Sequence, residues 1–325
     1  MTKLLVTGGT GLIGAQVARA ALARGMTPVL FDADPQIANI LDIKDQVIVE
    51  RGDVVDLADL LRVSVKHGIT HVVHLAAILT IQSTLNPARA LRINCIGTSN
   101  IFQLARDLGF RRVVYASSAA VYGTRGYYEE TLGRHTVTED DATRPYDLYG
   151  HTKQMCEGLA EQALRDGLDV VGLRPVMTFG YGRLDGAVGI LVKAMQDAAE
   201  FGRGLVTHPW QADTMINPMY VKDAADIFLT TLLAERKLAR PVYNLGTGEY
   251  MTIREMMDLA VRMAPQGSRI VFEETASTEA GGKETPLFDY ADLDSSLLRR
   301  ELNWSPKYGF EAGAADTLAD LRILA

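Results

Sequence analysis

Short, nearly unbroken apolar runs alternate with stretches of helical period through the first half of the chain. The runs are residues 3–7, 27–32, 46–50, 71–75, 112–116 and 170–173. Most gaps between them carry apolar residues three and four apart, notably 12–23, 57–66, 88–108 and 148–164. That spacing marks one buried helix face. Runs apolar at consecutive positions fit strands buried on both sides, as in a parallel sheet covered by its crossover helices. The fold class read from this pattern is α/β, a Rossmann-type doubly wound parallel sheet.

Past Arg174 the pattern loosens and becomes richer in Gly, Pro and Met. Residues 219–221 and 242–244 read as strands returning to the sheet, with a helix over 224–234. Residues 252–263 read as a helix capped by Thr252, with Glu255 three positions on. Residues 293–302 and 310–321 are also helical in period. The expected organisation is a nucleotide-binding domain over 1–172 plus about 214–244, and a smaller discontinuous substrate lobe over about 173–213 plus 245–325.

The first strand and first helix are joined by Gly8-Gly9-Thr10-Gly11-Leu12-Ile13-Gly14. Glycines at this spacing let the backbone turn sharply and approach a pyrophosphate with no side chain between. The helix start then offers free N–H groups to the anion. Asp32 ends the second run, 18 residues after Gly14. A carboxylate there accepts ribose hydroxyls and repels a 2′-phosphate. No Arg or Lys stands between Asp32 and Lys44 to receive such a phosphate, so NAD is the expected cofactor. Asp53, in Gly52-Asp53-Val54, comes after the third run and is placed for the adenine amino group.

Tyr149-Gly150-His151-Thr152-Lys153 sets a phenol and an ammonium one helical turn apart. The pair opens a helix after five strands, and Ser117-Ser118 ends the strand before it. Tyr115, Tyr122 and Tyr146 have no lysine four positions on. A phenol ordinarily titrates near ~10, so a phenolic base working near neutrality needs ~4 kcal/mol of help. One cation ~5 Å away supplies ~3 kcal/mol at an effective dielectric of ~20. A lysine and the cationic nicotinamide ring can together meet that need. Ser118 would hold the substrate oxygen while hydride leaves the carbinol carbon.

As a set, several segments resemble the extended short-chain dehydrogenase/reductase superfamily, the group of NAD-dependent epimerases and dehydratases. They are the glycine turn, Gly52-Asp53-Val54, His74-Leu75-Ala76-Ala77, Asn94-Cys95-Ile96-Gly97-Thr98, Ser117 through Gly123, Tyr149 through Lys153, Leu173-Arg174-Pro175, Tyr220 through Ala224, and Asn244-Leu245-Gly246. The resemblance implies that Asn94 supports the active site and that the Leu75-Ala76-Ala77 backbone lies along the cofactor. It places Pro175 and the residues after it beside the nicotinamide, and counts Asn94, Tyr149 and Lys153 among the cofactor-binding residues as well. It also implies a homodimer through helices near 95–107 and 149–165.

The departures bear on substrate. Met177 replaces the Asn usual in nucleotide-sugar epimerases, and Ile216 stands where the family places an Arg that grips the nucleotide pyrophosphate. A buried pyrophosphate without its cation is costly. Arg183 is retained and suits a smaller anion such as a carboxylate. Ala119-Ala120 replaces the Asp-Glu pair of the dehydratases, so dehydration is not expected. Residues 126–135 look like an insertion, read either as a lid or as an inert surface loop.

Composition narrows the rest. A formal charge of -7 speaks against nucleic acid or anionic membrane as partner. No apolar run reaches spanning length, and the start passes straight into a strand rather than a signal peptide. Two cysteines, Cys95 and Cys156, give neither a disulfide framework nor metal spacing, and a cytoplasmic location is expected. His71 and His74, three apart on a strand, face opposite ways, so with His67 they form no metal site. The expected activity is NAD-dependent oxidation of a secondary alcohol on a small sugar, sugar acid, polyol or hydroxy acid. The alternatives are a UDP-sugar epimerase with tightly bound NAD and an inactive NAD(H)-binding sensor.

Overall fold

The computed structural model describes residues 3–182, 186–273 and 288–323. Seven strands form the main sheet: β1 (Leu4–Thr7), β2 (Val29–Asp32), β3 (Ile48–Arg51), β4 (His71–His74), β5 (Arg112–Ala116), β6 (Val170–Pro175) and β7 (Val242–Leu245). Their order is β7-β6-β5-β4-β1-β2-β3, and every pairing is parallel. The doubly wound α/β fold is therefore present, with β1 at the point where chain order reverses. Ligands of such sheets bind in the crevice beyond the strand ends at that point.

The longer helices among the described residues are α1 (Leu12–Ala23), α2 (Leu57–His67), α3 (Gly97–Leu108), α4 (Leu148–Arg165), α5 (Gly186–Phe201), α6 (Val221–Leu233), α7 (Ile253–Arg262) and α8 (Phe310–Ile323). Strand side chains alternate between two cores. Leu4, Val6, Leu30, Val73, Val114 and Val171 pack with α1 and α6. Leu5, Val29, Phe31, Val72, Val113 and Val170 pack with α2, α3 and α4. A third cluster joins α5, α7 and α8 to Phe179, Trp210 and Ile216.

Several expectations need correction. Residues 88–108 are not one regular helix: Leu91–Ile96 winds as a π-helical turn before α3. Met219–Tyr220 does not join the main sheet but pairs with Thr178–Phe179, and only Val242–Leu245 returns to it. The stretch read as irregular holds α5, whose Ala187, Leu191, Val192 and Met195 are buried. Its glycines and alanines blunt the helical signal. Within 293–302 only Ser296–Leu302 is helical, because Asp292–Leu293 pairs with Thr136–Val137. Arg125–Leu132 is a helix, not a loop. Tyr128 anchors it, buried and donating to the Ala142 carbonyl at 2.7 Å. Among the described residues no helix is long and apolar enough to cross a membrane.

Candidate active site

The turn after β1 is shaped by contacts that only glycine permits. A Cβ on Gly14 would lie 2.2 Å from the Gly8 carbonyl oxygen, so α1 presses directly on the turn that feeds it. Gly11 is the N-cap of α1 and no side chain caps it. The first N–H groups of α1, those of Leu12 and Ile13, therefore have no partner within the helix. Asp32 lies at the end of β2, where its Oδ2 accepts from the Thr10 hydroxyl at 2.8 Å. An uncapped helix start, a glycine turn and a strand-end carboxylate form a cradle that fits a dinucleotide. Asp53 spends its Oδ1 on the Val55 N–H at 3.0 Å. Val54 is buried against Gly97, a packing role that spacing alone does not show.

Across the crevice, α4 brings the phenol and ammonium to the end of β5. Asp147 starts α4 by accepting from the Gly150 N–H at 2.6 Å. Gly150 is required there, since a Cβ would sit 2.1 Å from the Ala120 carbonyl oxygen. This contact seats the helix on the turn that carries Ser118. Lys153 is buried; its Nζ donates to the Ala116 carbonyl at 2.7 Å and stands 5.6 Å from the centre of the Tyr149 ring. Ser118 is half-buried and accepts from the Ala120 N–H at 3.1 Å, which leaves its O–H free to donate. Its neighbour Ser117 points inward, to Glu157. Tyr149, Lys153 and Ser118 thus belong to one neighbourhood.

Asn94 lies in the π-helical turn and its side chain is consumed by the protein. Its Oδ1 accepts from the Ile78 N–H at 2.7 Å; its Nδ2 donates to the Ile78 carbonyl and the Thr152 hydroxyl, both at 2.9 Å. Asn94, expected to support the active site, braces the segment after β4 against α4. That segment is held from the other side by Thr7, whose carbonyl accepts from Leu75 and whose hydroxyl meets the Ala76 N–H. The backbone from Leu75 through Ala77 is therefore pinned at both ends. π-Turns of this kind recur at functional sites.

His74, whose segment carries part of the family resemblance, ties the same parts together. Thr98 donates to the Asn94 carbonyl at 2.6 Å, so it must accept from His74 Nε2 at 3.0 Å. Nδ1 then accepts from Thr7 at 2.6 Å, which sets a neutral tautomer. Burial, with the Lys153 charge second, pulls this imidazole down to about 3. The folded protein thus resists protonation that the unfolded chain accepts below ~6.5. His74 contributes fully above that pH, and its contribution falls by ~1.4 kcal/mol per unit as pH drops toward about 3. Urea unfolding between about pH 7 and about pH 5 should show this slope in the wild type and its loss in His74→Gln. Equal slopes in the two proteins would refute the assignment.

Behind Ser117, Arg174 makes two bonds of 2.8 Å to Glu157 in the interior. Arg174 also meets Tyr122, whose hydroxyl bonds Asn244 at 2.9 Å. Pro175 ends β6 beside Leu245. Met177 is half-buried and its carbonyl accepts from Met219 at 2.8 Å. Arg183 lies outside the described residues. A chain of ring contacts runs from Tyr146, three positions before Tyr149, through Tyr290 (5.3 Å) and Phe288 (6.3 Å) to Trp210 (4.7 Å). Among the described residues no group of His, Cys, Asp or Glu is arranged to hold a metal.

A family model for the NAD dependent epimerase/dehydratase family matches residues 4–246. The UDP-glucose 4-epimerase of Rhizobium meliloti is 26% identical over 95% of this chain and 94% of its own length. A 3 beta-hydroxysteroid dehydrogenase/Delta 5-->4-isomerase of Mycobacterium tuberculosis is 31% identical over 55% of this chain and 48% of its own. Among solved structures, the L-threonine 3-dehydrogenase of Trypanosoma brucei superposes with a TM-score of 0.85 at 23% identity, covering all of this chain and 98% of that one. The UDP-glucose 4-epimerase of Thermotoga maritima superposes with a TM-score of 0.83 at 22% identity, covering 99% of each chain. The chain belongs to the NAD dependent epimerase/dehydratase family of extended short-chain dehydrogenase/reductases, and NAD is its cofactor.

Proposed function

We propose that this protein is a dehydrogenase that oxidises a secondary alcohol of a small substrate carrying no nucleotide. NAD supplies the hydride acceptor. In this reading Gly8, Gly11, Leu12, Ile13 and Gly14 hold the pyrophosphate and Asp32 the ribose. Asp53, Val54, Leu75, Ala76, Ala77 and Pro175 line the rest of the cofactor's path. Ser118 donates a hydrogen bond to the carbinol oxygen. Tyr149 takes the hydroxyl proton, and Lys153 holds positive charge beside the phenol as it does so. The carbinol carbon loses its hydride in the same step and becomes a carbonyl carbon. The substrate lobe is assigned to about 173–213 plus 245–325, with Met177 and Arg183 as the proposed substrate contacts.

The observation that carries the choice of substrate class is Ile216. It is 6% exposed and packed among Trp210, Met251 and Ile253, so an apolar contact fills the place from which a cation would grip a pyrophosphate. The alternative is UDP-sugar epimerisation, favoured by the near full-length likeness to the Rhizobium meliloti enzyme. The two differ in stoichiometry. Incubation with NAD and a panel of sugar acids, polyols, hydroxy acids and UDP-sugars should give one reduced cofactor per substrate consumed with a small alcohol. Conversion of a UDP-sugar without net reduced cofactor would establish the epimerase instead.

A homodimer through α3, α4 and the π-turn is part of the same proposal. Leu91, Ile96 and Met155 are exposed by 48%, 49% and 58%, an apolar face that a second copy would cover. Light scattering should return twice the chain mass of 35.5 kDa. The mass of one chain at micromolar concentration would reject it.

A further inference from the structure

Tyr115, in β5, is 1% exposed and set edge-on to Phe102, yet its hydroxyl has no hydrogen-bond partner. A buried polar group left in that state is costly. The phenol reaches over Gly172 in β6, where an added Cβ would stand 2.6 Å from its oxygen. Gly172 pairs with Val242 of the edge strand β7. Val242 and Pro241 form the apolar wall of a cavity of about 230 Å³ that Tyr115 also lines. The rest of the lining is charged. Glu157 and Arg174 contribute the buried pair. Glu139 is half-buried and accepts from the Asn244 N–H at 2.9 Å, while Glu161 is exposed on α4. Both guanidiniums of the lining are already paired, Arg174 with Glu157 at 2.8 Å and Arg240 with Asp140 at 2.7 Å. Among the described residues Glu139 and Glu161 are in no ion pair, so the cavity is short of positive charge.

We propose that this cavity is a binding site for a small primary ammonium ion, separate from the catalytic crevice. An –NH₃⁺ group carries three donors and no acceptor. The Tyr115 oxygen, Glu139 and Glu161 offer it three acceptors, two of them charged. Burial, with the Glu157 charge second, pushes the Tyr115 phenol well up, so it stays protonated and its oxygen accepts. A short carbon chain then lies against Pro241 and Val242. The cavity has room for about seven water-sized groups, which suits a chain of a few carbons. A metal ion fits less well, because among the described residues no group of His, Cys, Asp or Glu is arranged to hold one. An anion would meet the two unpaired carboxylates. Ser118, Tyr149 and Lys153 do not line the cavity. Glu157 nevertheless joins it to Ser117, the neighbour of Ser118. Met155, on the apolar face assigned to the dimer, is two positions from Glu157 and so ~200° round α4. A second copy on that face leaves the cavity open.

The test titrates the full chain, loaded with NAD, with n-propylammonium chloride by calorimetry. Sodium, tetramethylammonium and magnesium chlorides at equal ionic strength are the comparisons. The expected result is one n-propylammonium per chain, bound in about the millimolar range. Tetramethylammonium, which has no N–H to give, should not bind. Tyr115→Phe deletes a hydroxyl that bonds nothing in the protein. It should keep the wild-type urea midpoint and weaken n-propylammonium about tenfold. Glu161→Gln, on the exposed side, should weaken it up to about fivefold, and it carries the test if Tyr115→Phe does not fold. Absence of n-propylammonium binding up to about 50 mM overturns the proposal. So does magnesium binding in its place, equal affinity for tetramethylammonium, or unchanged affinity in both variants. The readout needs no substrate, so it stands apart from the dehydrogenase assignment.

Discussion

Tyr149→Phe is expected to lower kcat/KM by about 10²–10⁴-fold while NADH binding stays near the wild-type value. The change deletes one hydroxyl and leaves the ring that lies 5.6 Å from the Lys153 ammonium. Asp147, which starts α4, and the Gly150 contact that seats it are untouched, so the helix keeps its place. What disappears is the acceptor for the substrate proton. Without it the carbinol must release hydride while still protonated, which leaves a cationic carbonyl. Initial rates of NADH formation, with a fluorescence titration of NADH, separate the two effects. Wild-type rates in Tyr149→Phe would sink the assignment of Tyr149 as the catalytic base. A parallel loss of NADH affinity would assign Tyr149 to cofactor binding.

The second large effect concerns stability. Glu157→Gln leaves the Arg174 guanidinium buried without its counter-charge. Their side chains are only 11% and 5% exposed. Removing one member of such a pair costs ~3–5 kcal/mol, because the remaining charge stays desolvated. A cavity of about 230 Å³ beside the pair, lined also by Tyr115, Glu139 and Arg240, admits water and points to the lower end of that range. Urea midpoints measure the loss. The double variant Glu157→Leu, Arg174→Met should recover most of it, since paired apolar replacements are often neutral. A single-variant loss below ~1 kcal/mol would show that the pair is solvated in practice.

Much of this molecule is legible in its residues because its signals are local. The glycine turn, the α1 boundaries over 12–23 and the Thr252–Glu255 capping box need only near neighbours, and α1 and the box form as read. Tyr149 and Lys153 share one helix face for the same reason. Partners distant in sequence are not legible. Ser117, Glu157 and Arg174 meet only after β5, α4 and β6 pack, and no spacing announces it. His74 stands in a segment that resembles the family, but its bonds to Thr7 and Thr98 become legible only when those residues arrive on its two sides. The role expected of Asn94 rests on likeness to a family, and the fold shows that it acts as a brace. α5 escapes notice because its glycines and alanines carry little periodic contrast.

A crystal structure of the NAD complex tests the central claim most directly. Reacting atoms must approach within ~3–3.5 Å, so the Tyr149 and Ser118 hydroxyls should both lie within hydrogen-bond reach of one point above nicotinamide C4. A nicotinamide ring turned away from that point, or bound beyond the reach of Tyr149, would contradict the account.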